Sequence, residues 1–237
     1  MRDKLERFVS QLAKSQPLNG VFNPWADVDE ENDRGPDAPD IRRNHVFHYL
    51  GARLGRAEYL LIGEAIGYQG GHFSGIPMTS ERILLGFLKD KGLWPEHVLP
   101  YLKPQRTSRT EKKPRGFSEP TATIVWQTIL DSGCDPQKVI LWNAFPWHPY
   151  DPGKGMLSNR KPKAKEMEAA SPALAGFLDL FPKAAVIAMG KVSEDQLRRL
   201  NVSCRSVRHP AQGGASAFRE QFMRLFLQPG LFTRRTC

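Results

Sequence analysis

Short, almost wholly apolar runs alternate along the chain with longer stretches whose apolar residues recur every three or four positions. The short runs are typical of buried strands, because they lack the length of a helix. They span residues 59–62, 139–142, 184–190 and 202–207. The longer stretches predict helices over 44–53, 80–91, 118–133, 164–180 and 193–200, with a last helix after Gly213-Gly214. This alternation predicts an α/β fold, a three-layer α/β/α sandwich around a central four-stranded parallel sheet.

The region before the first strand has a different pattern. Residues 3–15 form an amphipathic stretch that predicts a helix, and residues 17–40 are polar and proline-containing, which indicates irregular surface chain. Phe22 and Trp25 are the residues expected to attach this chain to the core. We therefore expect one domain over 1–237, in which 1–43 form an N-terminal helix and an irregular extension.

Length and composition restrict the class of protein. The chain has 237 residues and a hydrophobic content of 40%, which is enough for a packed core. No apolar run approaches the length of a membrane span, and the charged start lacks the apolar segment of a signal peptide. A cytoplasmic location without membrane contact is the default expectation. Cys134, Cys204 and Cys237 stand apart, so they predict neither a disulfide framework nor a metal site.

Positive charge dominates the chain. The formal net charge is +9 and the isoelectric point is near 9.6, which favours polyanionic partners, nucleic acid above all. Six of the basic residues fall within 103–115, against the single acid Glu111. This basic segment either contacts a phosphate backbone or forms a solvated, mobile loop, and the sequence leaves both interpretations open.

Three of the predicted strands end in residues that are unusual for a buried sheet. The first ends in Gly63-Glu64 and a glycine-rich loop, the second in Asn143, and the fourth in His209. Because the carboxyl ends of parallel strands meet at one edge of a sheet, we expect these side chains to converge on one pocket. Glycines at 63, 67, 70, 71 and 75 would let the main chain turn or approach a ligand closely.

The same three places, in the same order, resemble the motifs of the uracil-DNA glycosylase superfamily. Gly63-Glu64-Ala65-Ile66-Gly67 followed by Phe73-Ser74-Gly75 resembles its first motif, and Asn143 stands where the superfamily carries a base-reading asparagine. His209-Pro210-Ala211 resembles its last motif, and 159–162 resembles a loop of the iron–sulfur branch. The resemblance covers about residues 57–228 and implies the uracil-DNA glycosylase fold.

The resemblance also implies a reaction. A damaged base would be flipped out of the DNA stack, and its N-glycosidic bond would be hydrolysed by water to leave an abasic site. Asn143 would pair with O4 and N3–H of uracil, because its amide both donates and accepts. His209 would donate a hydrogen bond to O2 as negative charge grows there. Phe73 would stack on the base, and Glu64 would position the water.

Further site residues follow from the same resemblance. Backbone N–H groups of Ala65 and Ile66 would help to hold the base, and Gly67 and Tyr68 would line the pocket. The loop from His209 to Ser216 would enter the minor groove, and Gln212 is the one sizeable side chain of its tip, residues 211–214. The implied DNA contacts are Ser74, Arg160, Arg208, Gln212, Gly213 and Gly214. The implied partner is single- or double-stranded DNA bound by a monomer, with no cofactor and no metal; the cysteines that ligate the iron–sulfur cluster are absent from this sequence.

The first motif departs from the superfamily pattern in informative ways. Ala65 occupies the place where many members carry an Asp or Asn that acts on the water, although the iron–sulfur branch shares the alanine. Ile66 replaces a proline. Gly67 stands where enzymes strict for uracil carry a tyrosine that excludes the methyl group of thymine, so the choice of base is open.

Each assignment has a plainer alternative. Asn143 could be a cap or turn residue, His209-Pro210 a turn, Phe73 a core residue and Tyr68 a cover for the sheet, while His72 and His148 are interpreted as structural histidines. For the whole chain, a catalytically silent nucleic-acid binder of the same fold is the main alternative to a glycosylase. An α/β enzyme with a phosphate ligand is a third, although both glycine-rich phosphate signatures are missing.

Overall fold

The computed structural model describes residues 1–14 and 18–227, with side chains through Leu225. Cys237 and residues 15–17 of the N-terminal predictions lie outside the described residues. The strands are β1 Val21–Phe22, β2 Tyr59–Ala65, β3 Val139–Phe145, β4 His148–Pro149, β5 Ala185–Met189 and β6 Arg205–Val207.

The four strands predicted from the apolar runs form one parallel sheet with the order β3-β2-β5-β6. β2 and β3 pair over most of their length, and Gly63 lies opposite Asn143 near their carboxyl ends. Helices flank the sheet, which confirms the predicted α/β sandwich. β1 and β4 form a separate two-stranded antiparallel ribbon, which the sequence did not predict.

Within the described residues, the helices agree with the sequence pattern in place more than in number or in their exact ends. They are α1 Arg2–Lys14, α2 Ala38–Gly51, α3 Gly71–Ser74, α4 Glu81–Leu84, α5 Pro95–Val98, α6 Pro120–Asp131, α7 Ala164–Leu180, α8 Lys191–Arg199 and α9 Ala215–Leu227. α7 has the predicted bounds, but α2 begins six residues before the predicted Asn44, inside the stretch expected to be irregular. The predicted helix over 80–91 is wrong: α4 ends at Leu84, and Gly86 at φ +75° turns the chain before a short 3₁₀ turn at Lys89–Lys91.

Aromatic packing joins the N-terminal region to the sheet. Trp142 of β3 stacks on Phe177 of α7 at 4.5 Å between ring centroids and on Trp25 at 5.9 Å. Trp25 and Phe22 are buried, as the sequence predicted. Stacked pairs of this kind contribute roughly 0.5–1.5 kcal/mol beyond the area that they bury, so the N-terminal region is part of the core that holds β3 in place.

The basic segment 103–115 is anchored rather than loose. Thr107 and Ser108 are fully buried, and their backbone N–H groups donate to Glu81 Oε1 at 2.8 and 3.0 Å. Arg106 donates to the carbonyl groups of residues 113 and 114, and Arg109 donates to those of residues 30 and 33. The mobile-loop interpretation is therefore wrong for its middle part, and these two arginines hold backbone.

Candidate active site

The carboxyl ends of the four parallel strands open into a cavity of about 540 Å³. The loop after β2, the end of β3, the turn after β5 and the loop after β6 form most of its wall, and the start of α6 and segment 159–161 complete it. Open α/β sheets bind ligands at this edge. Nine of the site residues predicted from the sequence line this cavity: Glu64, Ala65, Ile66, Gly67, Asn143, Arg160, Arg208, His209 and Gln212.

The side-chain amide of Asn143 lies at the floor of the cavity without a hydrogen-bond partner among the described residues. The residue is 1% exposed, yet neither Oδ1 nor Nδ2 has a hydrogen-bond partner among the described residues. Buried polar groups are almost always paired, and an unpaired one costs about 1–3 kcal/mol. An amide left unpaired at the base of an open cavity is therefore placed to pair with a ligand that offers both an acceptor and a donor.

His209 follows β6 and supplies a second directional group. Its Nδ1 accepts a hydrogen bond from the backbone N–H of Ala211 at 3.1 Å, which assigns the proton of a neutral ring to Nε2. Burial, and to a lesser degree the charge of Arg208, lowers the pKa of the imidazole. At pH 7 the ring is therefore neutral and carries a single N–H donor, at Nε2.

Two glutamates line the same cavity. Burial raises the pKa of Glu64, and the positive charge of Lys161 acts in the opposite direction. Glu119 immediately precedes α6, and burial alone raises its pKa to about 7. Its Oε2 is buried and lacks a hydrogen-bond partner among the described residues. In the sequence, Glu119 lies at the start of the helix predicted over 118–133, and nothing there distinguishes it from an ordinary residue of a helix start.

Met78 is a further cavity residue that the sequence analysis missed. It has φ +49°, a conformation that costs a residue with a side chain about 1–3 kcal/mol and that often occurs at ligand sites. A Cβ atom built on Gly63 would lie 3.1 Å from the Met78 sulfur. The thioether therefore packs beside the backbone of Gly63, next to the amide of Asn143.

Phe73 and Ser74 do not line this cavity. Phe73 is fully buried, and its ring stacks on Phe117 with centroids 4.0 Å apart and an interplanar angle of 16°. The Ser74 hydroxyl is also buried and donates to the carbonyl groups of Ile76 and Thr79. Phe73 is thus a core residue whose ring does not face the cavity. The predicted DNA contact of Ser74 is wrong, because its hydroxyl is buried and already hydrogen-bonded.

Three other predicted residues have their polar groups engaged by the protein. Arg160 lines the cavity, but its guanidinium pairs with both carboxylate oxygens of Glu166 at 2.8 Å and also donates to backbone carbonyl groups. The N–H of Ile66 donates to the carbonyl of Trp147 at 3.2 Å, so it is not available to hold a base. Tyr68 was expected to line the pocket, but the cavity wall ends at Gly67; Tyr68 is half-buried, and its backbone N–H donates to Asn159 Oδ1 at 3.1 Å.

The loop after β6 forms the rim. Arg208, Gln212 and Gly213 are exposed, and Gln212 and Gly213 have φ values of +54° and +74°. Gly214 is buried, and a Cβ atom there would lie 2.1 Å from the carbonyl oxygen of His209. Gly214 therefore shapes the loop, because no side chain fits there, whereas the other three residues face solvent as a DNA contact requires.

A buried chain of hydrogen bonds supports the wall at residues 158–159. Asp29 Oδ2 lies 3.0 Å from His72 Nε2, and His72 Nδ1 lies 2.9 Å from His148 Nδ1. His148 Nε2 lies 2.7 Å from the carbonyl oxygen of Ser158. Both histidines are buried and hydrogen-bonded, so they position the loop and do not reach the cavity, in keeping with their interpretation as structural.

A second groove of about 540 Å³ lies between α1 and α2, lined mainly by polar side chains and by Val9, Ala13 and Phe47. The described residues that line it include no strand end and no unpaired buried amide. Within residues 1–14 and 18–227, no group of three or more His, Cys, Asp or Glu side chains is arranged to hold a metal ion. The helices in that part of the chain are all too short or too polar to cross a membrane.

Comparison with known proteins bears on this site. The crystal structure of wild-type SMUG2 from Pedobacter heparinus has a similar fold, with a TM-score of 0.62 at 13% sequence identity, over 97% of this chain and 98% of that chain. No curated protein matches the chain by sequence. The family model described as "Uracil DNA glycosylase superfamily" matches residues 53–228. That match spans more than half of the chain and includes every strand end that forms the cavity, and the chain therefore belongs to the uracil DNA glycosylase superfamily.

Proposed function

We propose that this chain is a monofunctional DNA glycosylase that hydrolyses the N-glycosidic bond of uracil or a related deaminated base in DNA and leaves an abasic site. The unpaired amide of Asn143 in the same cavity as the Nε2–H of His209 carries this proposal. These groups complement the polar edge of a pyrimidine, and they lie at the ends of two different strands.

The amide selects the base. Nδ2 of Asn143 donates to O4 of uracil, and Oδ1 accepts from N3–H, so both buried atoms gain a partner that no described residue supplies. Cytosine offers the opposite pattern at these positions. Its binding leaves buried polar groups unpaired, at about 1–3 kcal/mol for each group.

His209 stabilises the departing base. As the glycosidic bond breaks, negative charge grows on O2, and the Nε2–H of a neutral imidazole donates a hydrogen bond to it. The pKa of His209 is lowered by burial, so the ring keeps one fixed donor and its Nδ1 remains tied to the N–H of Ala211. One such donor typically contributes on the order of 10²–10³ in rate.

The face of the flipped base rests on Met78. Its sulfur lies beside Gly63 and the Asn143 amide, and a thioether makes favourable contacts with aromatic rings. Met78 thus takes the role that the resemblance assigns to Phe73. Gly67 lines the cavity without a side chain, so the pocket tolerates a substituent at C5 better than one closed by a tyrosine.

Water attacks C1′ of the deoxyribose. Ala65 has no polar group for this water, so a nearby glutamate positions it. Glu64 is the carboxylate next to Ala65 in the sequence, and both Glu64 and Glu119 line the cavity. Arg208, Gln212 and Gly213 on the exposed rim contact the DNA backbone and the minor groove, and the net charge of +9 favours binding.

Incubation with oligonucleotides that contain uracil, hypoxanthine or xanthine, single- and double-stranded, followed by alkaline cleavage, tests the proposal. We expect product from uracil at least, and a loss on the order of 10² or more for Asn143→Ala and for His209→Ala. Asn44→Ala and His48→Ala on α2 are matched controls, because both lie outside the cavity. No product from any of these substrates would contradict a glycosylase.

A silent nucleic-acid binder is the alternative that Ala65 favours. It predicts salt-dependent binding of DNA without any abasic product. The same oligonucleotides in a binding assay, with salt as the variable, separate this alternative from a chain that neither binds nor cleaves.

A further inference from the structure

Glu119 has an unusual environment for a residue at the start of a helix. Its Oε2 is buried without a hydrogen-bond partner among the described residues. The carboxylate fills the space above Gly70, where a Cβ atom would lie only 2.0 Å from Oε2. A capping side chain accepts hydrogen bonds from the first helical turn, but the Glu119 side chain makes no such bond and turns toward the glycine-rich loop after β2.

Glu119 lies between two neighbouring cavities. Glu119 lines both the 540 Å³ cavity and an adjoining one of about 430 Å³, which extends past Gln69, Ile124 and Pro210. Asn143 and Met78 line only the first of these cavities, and the rim loop borders both. Glu119 therefore lies where the two cavities meet, whereas Asn143 and Met78 lie inside the first cavity.

We propose that Glu119, rather than Glu64, is the catalytic base of this enzyme, a proposal that rests on the glycosylase function proposed above. A water molecule between Glu119 and C1′ donates one proton to the carboxylate while its oxygen forms a bond to C1′. The bond between C1′ and N1 breaks, and its electron pair leaves with the base. The anionic base is held through O2 by His209 until it takes up a proton from solvent.

The two glutamates differ in the property that a general base needs. A base works best when its pKa lies near the working pH, and burial raises the pKa of Glu119 to about 7. Burial also raises the pKa of Glu64, but the positive charge of Lys161 opposes this rise, whereas burial acts alone on Glu119. Other charged or titratable side chains that line the cavity are Arg160, Lys191, Arg208 and His209; Arg160 is paired with Glu166, and Lys191 with acids of its own helix.

Single-turnover rates on a uracil oligonucleotide between pH 5.5 and 9 test the assignment with Glu119→Gln and the matched variant Glu64→Gln. We expect the wild-type rate to rise with pH through about 7. Glu119→Gln should lower the plateau on the order of 10²-fold or more and remove this rise. Glu64→Gln should keep the rise and lose less than about tenfold in rate.

Gly70→Ala provides a second variant that keeps the carboxylate but moves it, since a methyl group there collides with Oε2. We expect a slower rate with unchanged affinity for DNA that contains an abasic-site analogue. An active wild type whose Glu119→Gln variant keeps its rate and pH profile overturns this inference and leaves the glycosylase function intact. If the pH dependence is lost in Glu64→Gln and kept in Glu119→Gln, the inference about Glu119 is likewise overturned and the glycosylase function is left intact. An inactive wild type overturns both proposals together.

Discussion

Gly63 and Asn143 lie directly opposite each other across β2 and β3, and a Cβ atom on Gly63 would lie 2.7 Å from Asn143 Oδ1. Real Cβ atoms do not approach an oxygen this closely, so the glycine is what allows the amide to lie over the neighbouring strand. The first motif and the asparagine are therefore one structural unit, although 80 positions separate them along the chain. Glycine here provides space rather than an unusual backbone conformation.

Gly63→Ala should abolish base recognition without unfolding the protein. The added methyl group forces the Asn143 amide or the Met78 sulfur to move by a few tenths of an ångström or more, and the alignment of both groups with the base is lost. We expect uracil release to fall by about 10²-fold, a typical effect of a 1 Å misplacement. Gly153→Ala, in an exposed loop with ordinary contacts, is the control. Equal rates for the two variants would contradict the assigned role of Asn143.

Asn143→Ala should separate function from stability. The amide has no hydrogen-bond partner among the described residues, so its removal eliminates a buried unsatisfied group. We expect the melting temperature to stay unchanged or to rise, while base release falls by two orders of magnitude or more. A variant that is both inactive and clearly less stable would show that Asn143 serves the fold.

Phe73→Leu and Met78→Ala should give opposite results. Phe73 stacks on Phe117 in the core, so its replacement should cost about 1–1.5 kcal/mol of unfolding free energy and leave the rate nearly unchanged. Met78→Ala removes the side chain next to Asn143, and we expect weaker binding of the uracil-containing substrate. Chemical denaturation and single-turnover kinetics on both variants measure the two effects.

Several of these distinctions could not come from sequence. The edge at which strand ends converge follows from apolar runs alone, which is why Asn143 and His209 were found together. An aromatic residue at a given spacing, however, fits a core and a pocket equally well. The partner that settles the matter for Phe73 is Phe117, which is remote in sequence.

Glu119 shows the same limit more sharply. A glutamate before Pro120 fits a helix start completely, so local pattern leaves nothing to explain. Its significance comes from Gly70, which packs against the carboxylate only in the folded chain. In the same way, Arg160 had the expected place in a loop, but its ion pair with Glu166 decides that its charge serves the structure.

Arg160→Ala and Arg208→Ala should divide the basic residues of the site into two kinds. Arg160 makes a bidentate pair with Glu166 and holds two backbone carbonyl groups, so its loss should cost about 2 kcal/mol or more of unfolding free energy. Arg208 is exposed on the rim. Its loss should leave stability unchanged and reduce the slope of log K for DNA against log salt by about one. A changed slope for Arg160→Ala with normal stability would reverse this division.

Glu119→Gln should make the protein more stable at alkaline pH. The pKa of Glu119 is raised from 4.5 to about 7 in the folded state, so the folded protein binds a proton that the unfolded chain has released between these values. The free energy of unfolding of the wild type therefore falls progressively as pH rises from about 4.5 to about 7, and the whole loss is reached above that range. One pKa unit corresponds to about 1.4 kcal/mol, which sets an upper value of about 3 kcal/mol for the difference.

Urea unfolding of the wild type and of Glu119→Gln at pH 4.5, 6 and 8.5 measures this difference, with Glu64→Gln as the matched control. We expect the Glu119→Gln curve to lie above the wild type at pH 8.5 and to converge with it at pH 4.5. A residue that both lowers stability when ionised and accelerates base release is held in place for chemistry, because the fold alone would favour its neutral substitute. A constant offset at all three pH values would mean instead that Glu119 has the same pKa in the folded and the unfolded chain, so that folding does not raise it.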